Sequence, residues 1–295
     1  MDYRDIVFIK VAENLNFSRA ANDLCISQPA VTKHIKELES KYRTDLFERK
    51  GNKVFLTEAG SLVYSLLNKI QQQYRDLDFQ VQELGNRFSG DLVIGASSTL
   101  TQYVIPKVMA SFHKKYPDVR IHLINGNSFD MEQSLLSHKI DLALVENVLS
   151  LNDIRYKPFL EDELIVVTGS KSKFAYESKV DLKRLSQMPM VMREQGSGTL
   201  EVIKKVFKFN DINFEALDIV IHLGSTESIK NFLVDFEGIG ILSEKSVRME
   251  LASLCLKKIE VVDLSLKRDF RIALKKGYVS RQARIFIEFL KNYNF

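Results

Sequence analysis

Residues 17–60 read FSRAANDLCISQPAVTKHIKELESKYRTDLFERKGNKVFLTEAG. Upstream, Val7, Phe8, Val11, Ala12 and Leu15 recur at helical spacing, and Asn16-Phe17-Ser18 breaks that pattern. Ser18 is expected to cap a short second helix through Leu24, because a hydroxyl there satisfies N–H groups that a helix start leaves open. Cys25-Ile26 makes a tight turn, and Cys25 reads as a small core residue. Ser27 caps a third helix to about Ser40, with Gln28 and Pro29 in its first turn, where proline's missing N–H costs little. Val31, Ile35 and Leu38 share one face of that helix and must pack inward. Gln28, Pro29, Thr32, Lys33 and Lys36 fall on the opposite face. Leu46–Arg49 and Val54–Leu56 then flank Lys50-Gly51-Asn52-Lys53, two extended pieces about a Gly-Asn turn, which predicts a hairpin.

A helix with such a face, following a short helix and a tight turn, suits the major groove of double-stranded DNA. Gln bonds adenine bidentately, Lys bonds guanine, and the Thr methyl meets the thymine methyl. Lys50 and Lys53 at the hairpin tip would lie against phosphates or in a minor groove. Ser18, Arg19 and Ser27, at the starts of the two helices, complete the candidate DNA-binding set. Composition alone does not announce this: the net charge is only +4, and residues 1–58 hold 10 Lys/Arg against 9 Asp/Glu. The placement of the charges, not their sum, points to DNA.

Thr57-Glu58-Ala59-Gly60 opens a long helix. Val63, Leu67, Ile70, Tyr74, Leu77, Val81 and Leu84 step along it by 4, 3, 4, 3, 4 and 3. That is an a/d seam over three heptads, expected to pair two copies of the chain, with Gly85 and Ser89-Gly90 ending the helix. A symmetric pair would let one small head recognise a two-fold site.

From Asp91 the texture becomes strand and helix in alternation. Strands are expected at 92–95, 119–125, 141–146, 163–168, 190–193, 218–223, 240–242 and 270–274, with helices at 104–115, 200–209, 225–236 and 281–290. The fold class is therefore α/β, with mostly parallel, doubly wound sheets behind an N-terminal all-α winged helix-turn-helix. Three loops follow strands and precede helices: Gly95-Ala96-Ser97-Ser98-Thr99, Gly196-Ser197-Gly198-Thr199 and Gly224-Ser225-Thr226. Open N–H groups and hydroxyls at helix starts bind anions, and such loops face the ligand crevice of an open α/β sheet. Ser97, Ser98, Thr99, Ser197, Thr199 and Thr226 are the candidate effector ligands. Plain N-capping is the competing account of each loop.

Phe17–Ala21, Ile26–Thr32, Ile35–Glu39, Leu46–Arg49 and Leu56–Gly60 together resemble the signature of LysR-type transcriptional regulators. The resemblance runs on more thinly through Ile105-Pro106, Tyr116-Pro117, Asp141–Leu144, Gly196–Thr199 and Gly238–Gly240. It implies a winged helix-turn-helix at 1–58, a dimerising linker helix at 59–88, and an effector domain at 89–295 with the fold of periplasmic binding proteins. Its two subdomains would be 89–162 with 266–295, and 163–265. It also implies dimers or tetramers; the three loops, with their N–H donors and hydroxyls, suit a small, anionic effector, and RNA polymerase is a candidate partner. Thr32-Lys33 stands where many relatives carry Ser-Arg, and Leu200 where many carry Arg; Arg193 reads either as a replacement cation or as a surface residue. The segment Pro158–Leu164 is similar to members tied to sulfur assimilation or carbon fixation.

Other classes find little support. The five histidines show no HExxH or paired-ligand spacing, so no metal is expected. No nucleophile elbow, GxGxxG or Walker loop is present, so no catalytic residue and no cofactor are expected. Glu161 and Glu163 read as solvated loop charge. The two rivals are a solute-binding protein and an α/β enzyme with an appended DNA-binding module. Against the first, the N-terminus has no continuous apolar run of the signal-peptide kind. Two distant cysteines and no apolar run of about 18 residues point to a cytoplasmic chain with no membrane partner.

Overall fold

The computed structural model describes residues 1–51, 53–84, 89–146, 150–277 and 279–295, and leaves the side chains of 79 and 82–84 undescribed. Asn52 of the expected turn, Gly85 as helix end and the Leu84 side chain thus lie outside the described residues. Contacts divide the chain into two units, Met1–Asn86 with Leu136–Lys139, and Arg87–Leu135 with Ile140–Phe295.

In the first unit, α1 (Tyr3–Asn14), α2 (Phe17–Asp23) and α3 (Gln28–Tyr42) precede a hairpin, β1 (Phe47–Lys50) and β2 (Lys53–Leu56), and then α4 (Glu58–Leu84). Val7, Phe8, Val11, Ala20, Val31, Ile35, Leu38 and Leu46 form the core, and Leu67 of α4 joins it. Two corrections concern the helix-turn-helix. Asn16, not Ser18, caps α2, its side chain accepting from Arg19 N at 3.0 Å. Cys25 is exposed rather than a core residue, because it holds the turn in a left-handed conformation (φ 54°) that points it away from the packed faces.

The signature residues mostly hold this head together. Glu39 of α3 accepts from Leu46 N at 2.9 Å, fixing the hairpin to the third helix. Thr57 donates to Asp45 O and accepts from Gly60 N, capping α4. Gly60 is required by space: a Cβ there would stand 2.0 Å from the Leu46 carbonyl oxygen. Gly51 supplies the positive φ (63°) of the two-residue hairpin loop, across which Lys50 pairs with Lys53.

The second unit contains β3 (Gly90–Ser97), one wide helical turn (Leu100–Val104), α5 (Ile105–Lys115), β4 (Val119–Gly126), α6 (Ser128–Leu136), β5 (Leu142–Val145) and a 16-residue β6 (Ile154–Gly169). It continues through β7 (Lys179–Val180), α7 (Leu182–Leu185), β8 (Met190–Arg193), α8 (Gly198–Phe209), β9 (Ile219–Leu223), α9 (Thr226–Leu233), β10 (Ile239–Ser243), α10 (Glu244–Ala252), β11 (Leu256–Val261), β12 (Lys267–Lys275) and α11 (Arg281–Lys291). Strands run β4-β3-β5-β12-β6 in one lobe and β6-β10-β8-β9 in the other. The first half of β6 pairs with β12 and the second half with β10, so this strand carries the chain between lobes. Each lobe has its own core, one around Leu92, Leu100, Phe112, Phe270 and Phe286, the other around Leu164, Met190, Leu200, Phe207 and Ile241.

The sheets are mixed rather than mostly parallel, since β6 and β12 run antiparallel to their neighbours. The expected strand at 163–168 is only the second half of β6. Pro158 masks the rest in the sequence; it sits where the β12 register shifts between Phe270 and Arg271, a bulge that tolerates a missing donor. Glu161 and Glu163 are exposed as expected, yet on this strand and not on a loop; the pleat turns Asp162 between them inward. No helix among the described residues is long and apolar enough to cross a membrane.

Candidate functional site

Ser27 caps α3 and leaves Gln28, Pro29, Lys33 and Lys36 exposed along one side, with Thr32 half-buried between them. Gln28 Nε2 donates to Thr32 Oγ1 at 3.0 Å, which orders the two side chains as one polar edge. Lys33 Nζ lies 4.0 Å from Glu37 and stays largely in solvent. A concavity of about 760 Å³ runs along this face, and Arg4 of α1 lines it beside Pro29, Thr32, Lys33 and Lys36. Arg4 has no signal in the sequence; only the α1–α3 packing brings it here. Ser18 and Arg19 are exposed on the first turn of α2. At the hairpin, Lys50 pairs with Glu48 at 2.8 Å, whereas Lys53 is exposed and has no acidic partner in ion-pair range among the described residues.

The seam residues divide. Leu67 is buried and Val63 half-buried in the head's own core, while Ile70, Tyr74, Leu77 and Val81 are exposed. Leu62 and Leu66, which the 4-3 count passed over, are exposed on the same helix. The apolar stripe in solvent is therefore Leu62, Leu66, Ile70, Tyr74, Leu77 and Val81. The heptad count found the last four and missed Leu62 and Leu66, because two neighbouring rows of apolar residues start the helix and only one continues.

All six candidate effector hydroxyls are buried in the second unit, at 1–3% exposure. None of Ser97, Ser98 and Thr99 caps the turn that follows, Ser197 makes no side-chain cap for α8, and Ser225 rather than Thr226 caps α9. Simple N-capping thus does not account for them. They fall into two groups. Ser97, Thr99 and Thr199 donate to the carboxylate of Glu146, a residue at the carboxyl end of β5. Ser98 and Thr226 face the Arg193 guanidinium at 3.4 and 3.5 Å. Ser197 Oγ is buried with no partner.

Arg193 is itself 2% exposed, with Glu194 as its counter-ion at 2.8 Å. His222 Nδ1 meets the Arg193 carbonyl oxygen at 2.8 Å. Beyond Glu146 lies Arg268, whose Nε donates to Asp162 at 2.8 Å and whose Nη1 donates to Thr199 Oγ1 at 2.9 Å. Ser243 donates to the other Asp162 oxygen. Glu146, Asp162 and Arg268 are buried charges that the sequence reading missed. A carboxylate closing the all-buried strand Leu142–Val145 was a usable signal for Glu146; Arg268 had none.

A third group joins the lobes. Tyr103 donates to Glu227, and Lys230 bridges Glu227 at 2.8 Å and Glu250 at 2.7 Å beneath the Tyr103 ring. Burial and the Glu227 contact push the Tyr103 hydroxyl well above its ordinary range. Burial opposes the Lys230 and Glu227 charges. The hydrogen bonds outweigh it, raising the ammonium and holding the Glu227 carboxyl below its ordinary value. No cluster of three or more His, Cys, Asp or Glu fit for a metal occurs among the described residues.

Fold and site together define a winged-helix reading head followed by a two-lobed ligand-binding domain, the plan of an effector-responsive transcription regulator. Residues 6–61 match the family model described as bacterial regulatory helix-turn-helix protein, lysR family, and residues 85–294 match the LysR substrate binding domain. The chain belongs to the LysR family and is a DNA-binding transcription regulator. It is 27% identical to the HTH-type transcriptional regulator CysL of Bacillus subtilis (strain 168) over 98% of this chain and 97% of that one. It is 30% identical to the HTH-type transcriptional activator CmpR of Synechocystis sp. over 96% of this chain and 92% of that one. The Synechocystis CcmR regulatory domain in complex with 2-PG superposes with a TM-score of 0.62 at 25% identity, over 68% of this chain and 95% of that one. The solute-binding and enzyme alternatives find no support, and the relatives are named as regulators.

Proposed function

We propose that the chain is a homodimeric or tetrameric, cytoplasmic regulator without catalytic activity, whose output is set by a small anion bound between the two lobes. The proposed boundaries remain 1–58, 59–88 and 89–295. Gln28, Pro29, Thr32 and Lys33 read bases, with Ser18, Arg19, Ser27, Lys36, Lys50, Lys53 and Arg4 on the backbone. The observation that carries the effector reading is the Arg193 group. Glu194 holds its Nε and Nη2 at 2.8 and 3.0 Å, while its contacts to Ser98 and Thr226 sit at the outer limit of hydrogen bonding and leave room for a better acceptor. An oxyanion placed there would accept shorter bonds from the guanidinium and both hydroxyls. Glu194 offsets the Arg193 charge, which suits modest, reversible affinity. The CcmR regulatory domain solved with 2-PG, and the resemblance to members tied to sulfur assimilation or carbon fixation, support a compact anionic effector.

Calorimetry of the full chain with sulfate, sulfite, thiosulfate and small organic acids tests the reading. One of them should bind, and Ser98→Ala with Thr226→Ala should weaken it by about 3–6 kcal/mol, the loss of two hydrogen bonds to a charged group. Folding and effector-free DNA binding should be unchanged. Anion binding undisturbed by the double change, or binding of uncharged ligands only, would place the site elsewhere.

A further inference from the structure

A cavity of the second unit is lined by residues other than the hydroxyl loops. It holds about 810 Å³ and is lined by α8 and the start of β12, with Glu146 and Arg268 in its wall. We propose that it is a second ligand site, for an organic anion with an apolar body, separate from the small-anion site.

Three observations carry this. First, the lining has five cationic side chains against three carboxylates, and one of the three, Glu146, already opposes Arg268. Lys205 and Lys208 stand three positions apart, on adjacent turns of α8, and Lys267 comes from β12. Second, Arg268 on the cavity wall is incompletely satisfied. Its side chain is 2% exposed, Nε and Nη1 have partners, and Nη2 is buried with none. A buried guanidinium N–H without an acceptor is costly, and because Nη2 is closed to solvent an occupant reaches it only when the Arg268 side chain shifts toward the cavity. Third, the wall between these cations is apolar: Val202 and Val206 line it, and Phe209 stands on its rim at 88% exposure. A ring so exposed beside a cluster of cations fits the body of an amphipathic anion better than bare phosphate or sulfate, which would gain nothing from it.

The position gives the site a consequence. α8 belongs to one lobe, and Lys267–Arg271 lies where β12 pairs across to the other lobe. An occupant held by both shifts the balance between lobe arrangements by its preference for one of them.

The test is calorimetry of the full chain with phenyl phosphate, using inorganic phosphate as head alone and phenol as body alone. Phenyl phosphate should bind, and Lys205→Glu with Lys208→Glu should weaken it by about tenfold or more, as reversing charges around an anion does. Phe209→Ala, an exposed position that leaves the core intact, should weaken phenyl phosphate and leave inorganic phosphate unchanged. Ser98→Ala with Thr226→Ala should leave phenyl phosphate binding unchanged, which separates this site from the small-anion site whether or not that one exists. No binding of phenyl phosphate at millimolar concentration overturns the proposal. So does binding lost in the Ser98/Thr226 variant but kept in the Lys205/Lys208 variant.

Discussion

Lys33 and Lys53 carry the same charge and stand in different settings. Lys33 is in the second turn of α3, on the face that the helix-turn-helix presents; Lys53 opens β2 at the tip of a hairpin. A residue aimed at base edges discriminates among sequences, and one aimed at phosphates does not. Lys33→Ala should therefore cost about 1–3 kcal/mol at one operator base pair and little at mutated operators. Lys53→Ala should weaken all DNAs evenly and lower the slope of log affinity against log salt by about one. Titrations on matched and mutated operators decide between them; equal losses on every DNA for Lys33→Ala would make it a phosphate contact. The reading face was legible because its residues lie within one helix, where spacing alone assigns faces. Arg268 and Asp162 meet across 106 positions, and nothing local in either segment marks them as partners.

Single elements were legible in proportion to how local their cause is. The strand at 190–193 and the helix at 105–115 follow from apolar runs and their flanks. The early half of β6 does not, because Pro158 argues against a strand until the β12 bulge is known. The link from the turn before α5 to α9 and α10 is likewise invisible in sequence, and it has a pH signature. Glu227 is held below its ordinary 4.5, so its contribution is complete above 4.5 and is lost as pH falls through the lower folded value. Lys230 is raised above 10.5, so its contribution is complete below 10.5 and is lost only as pH rises through the folded value. The link should be constant between those limits and loosen from the acid side first. Glu227 is nearly half exposed, so solvent screening keeps its contribution under about 1 kcal/mol. Urea unfolding of wild type and Glu227→Gln should differ by that amount at pH 7 and converge well below pH 4.5. A difference that does not change with pH would remove the ion pair as its cause.

For the whole molecule the deciding feature is the outer stripe of α4. Leu62, Leu66, Ile70, Tyr74, Leu77 and Val81 are all at least 40% exposed, a continuous apolar row on a 27-residue helix. A row of that length left in water is unfavourable, and pairing with the same row of a second copy removes both at once under two-fold symmetry. Such a pair also presents two reading faces together, as recognition of a two-fold operator requires. The neighbouring row behaves differently: Leu67 and Val63 pack inside the head, so changing them tests folding rather than assembly. Ile70→Asp with Leu77→Asp would place charges against an apolar partner and should split the dimer while leaving the helical content and thermal transition of the head unchanged. Leu67→Asp, by contrast, should unfold the head. Sedimentation of the Ile70/Leu77 variant at micromolar concentration should give the monomer mass, and its affinity for a single half-site should match that of wild type. Its affinity for the full operator should drop by a large factor, because the second head no longer binds at the effective concentration the pairing provides. An unchanged mass would show that α4 is not the contact holding the copies together.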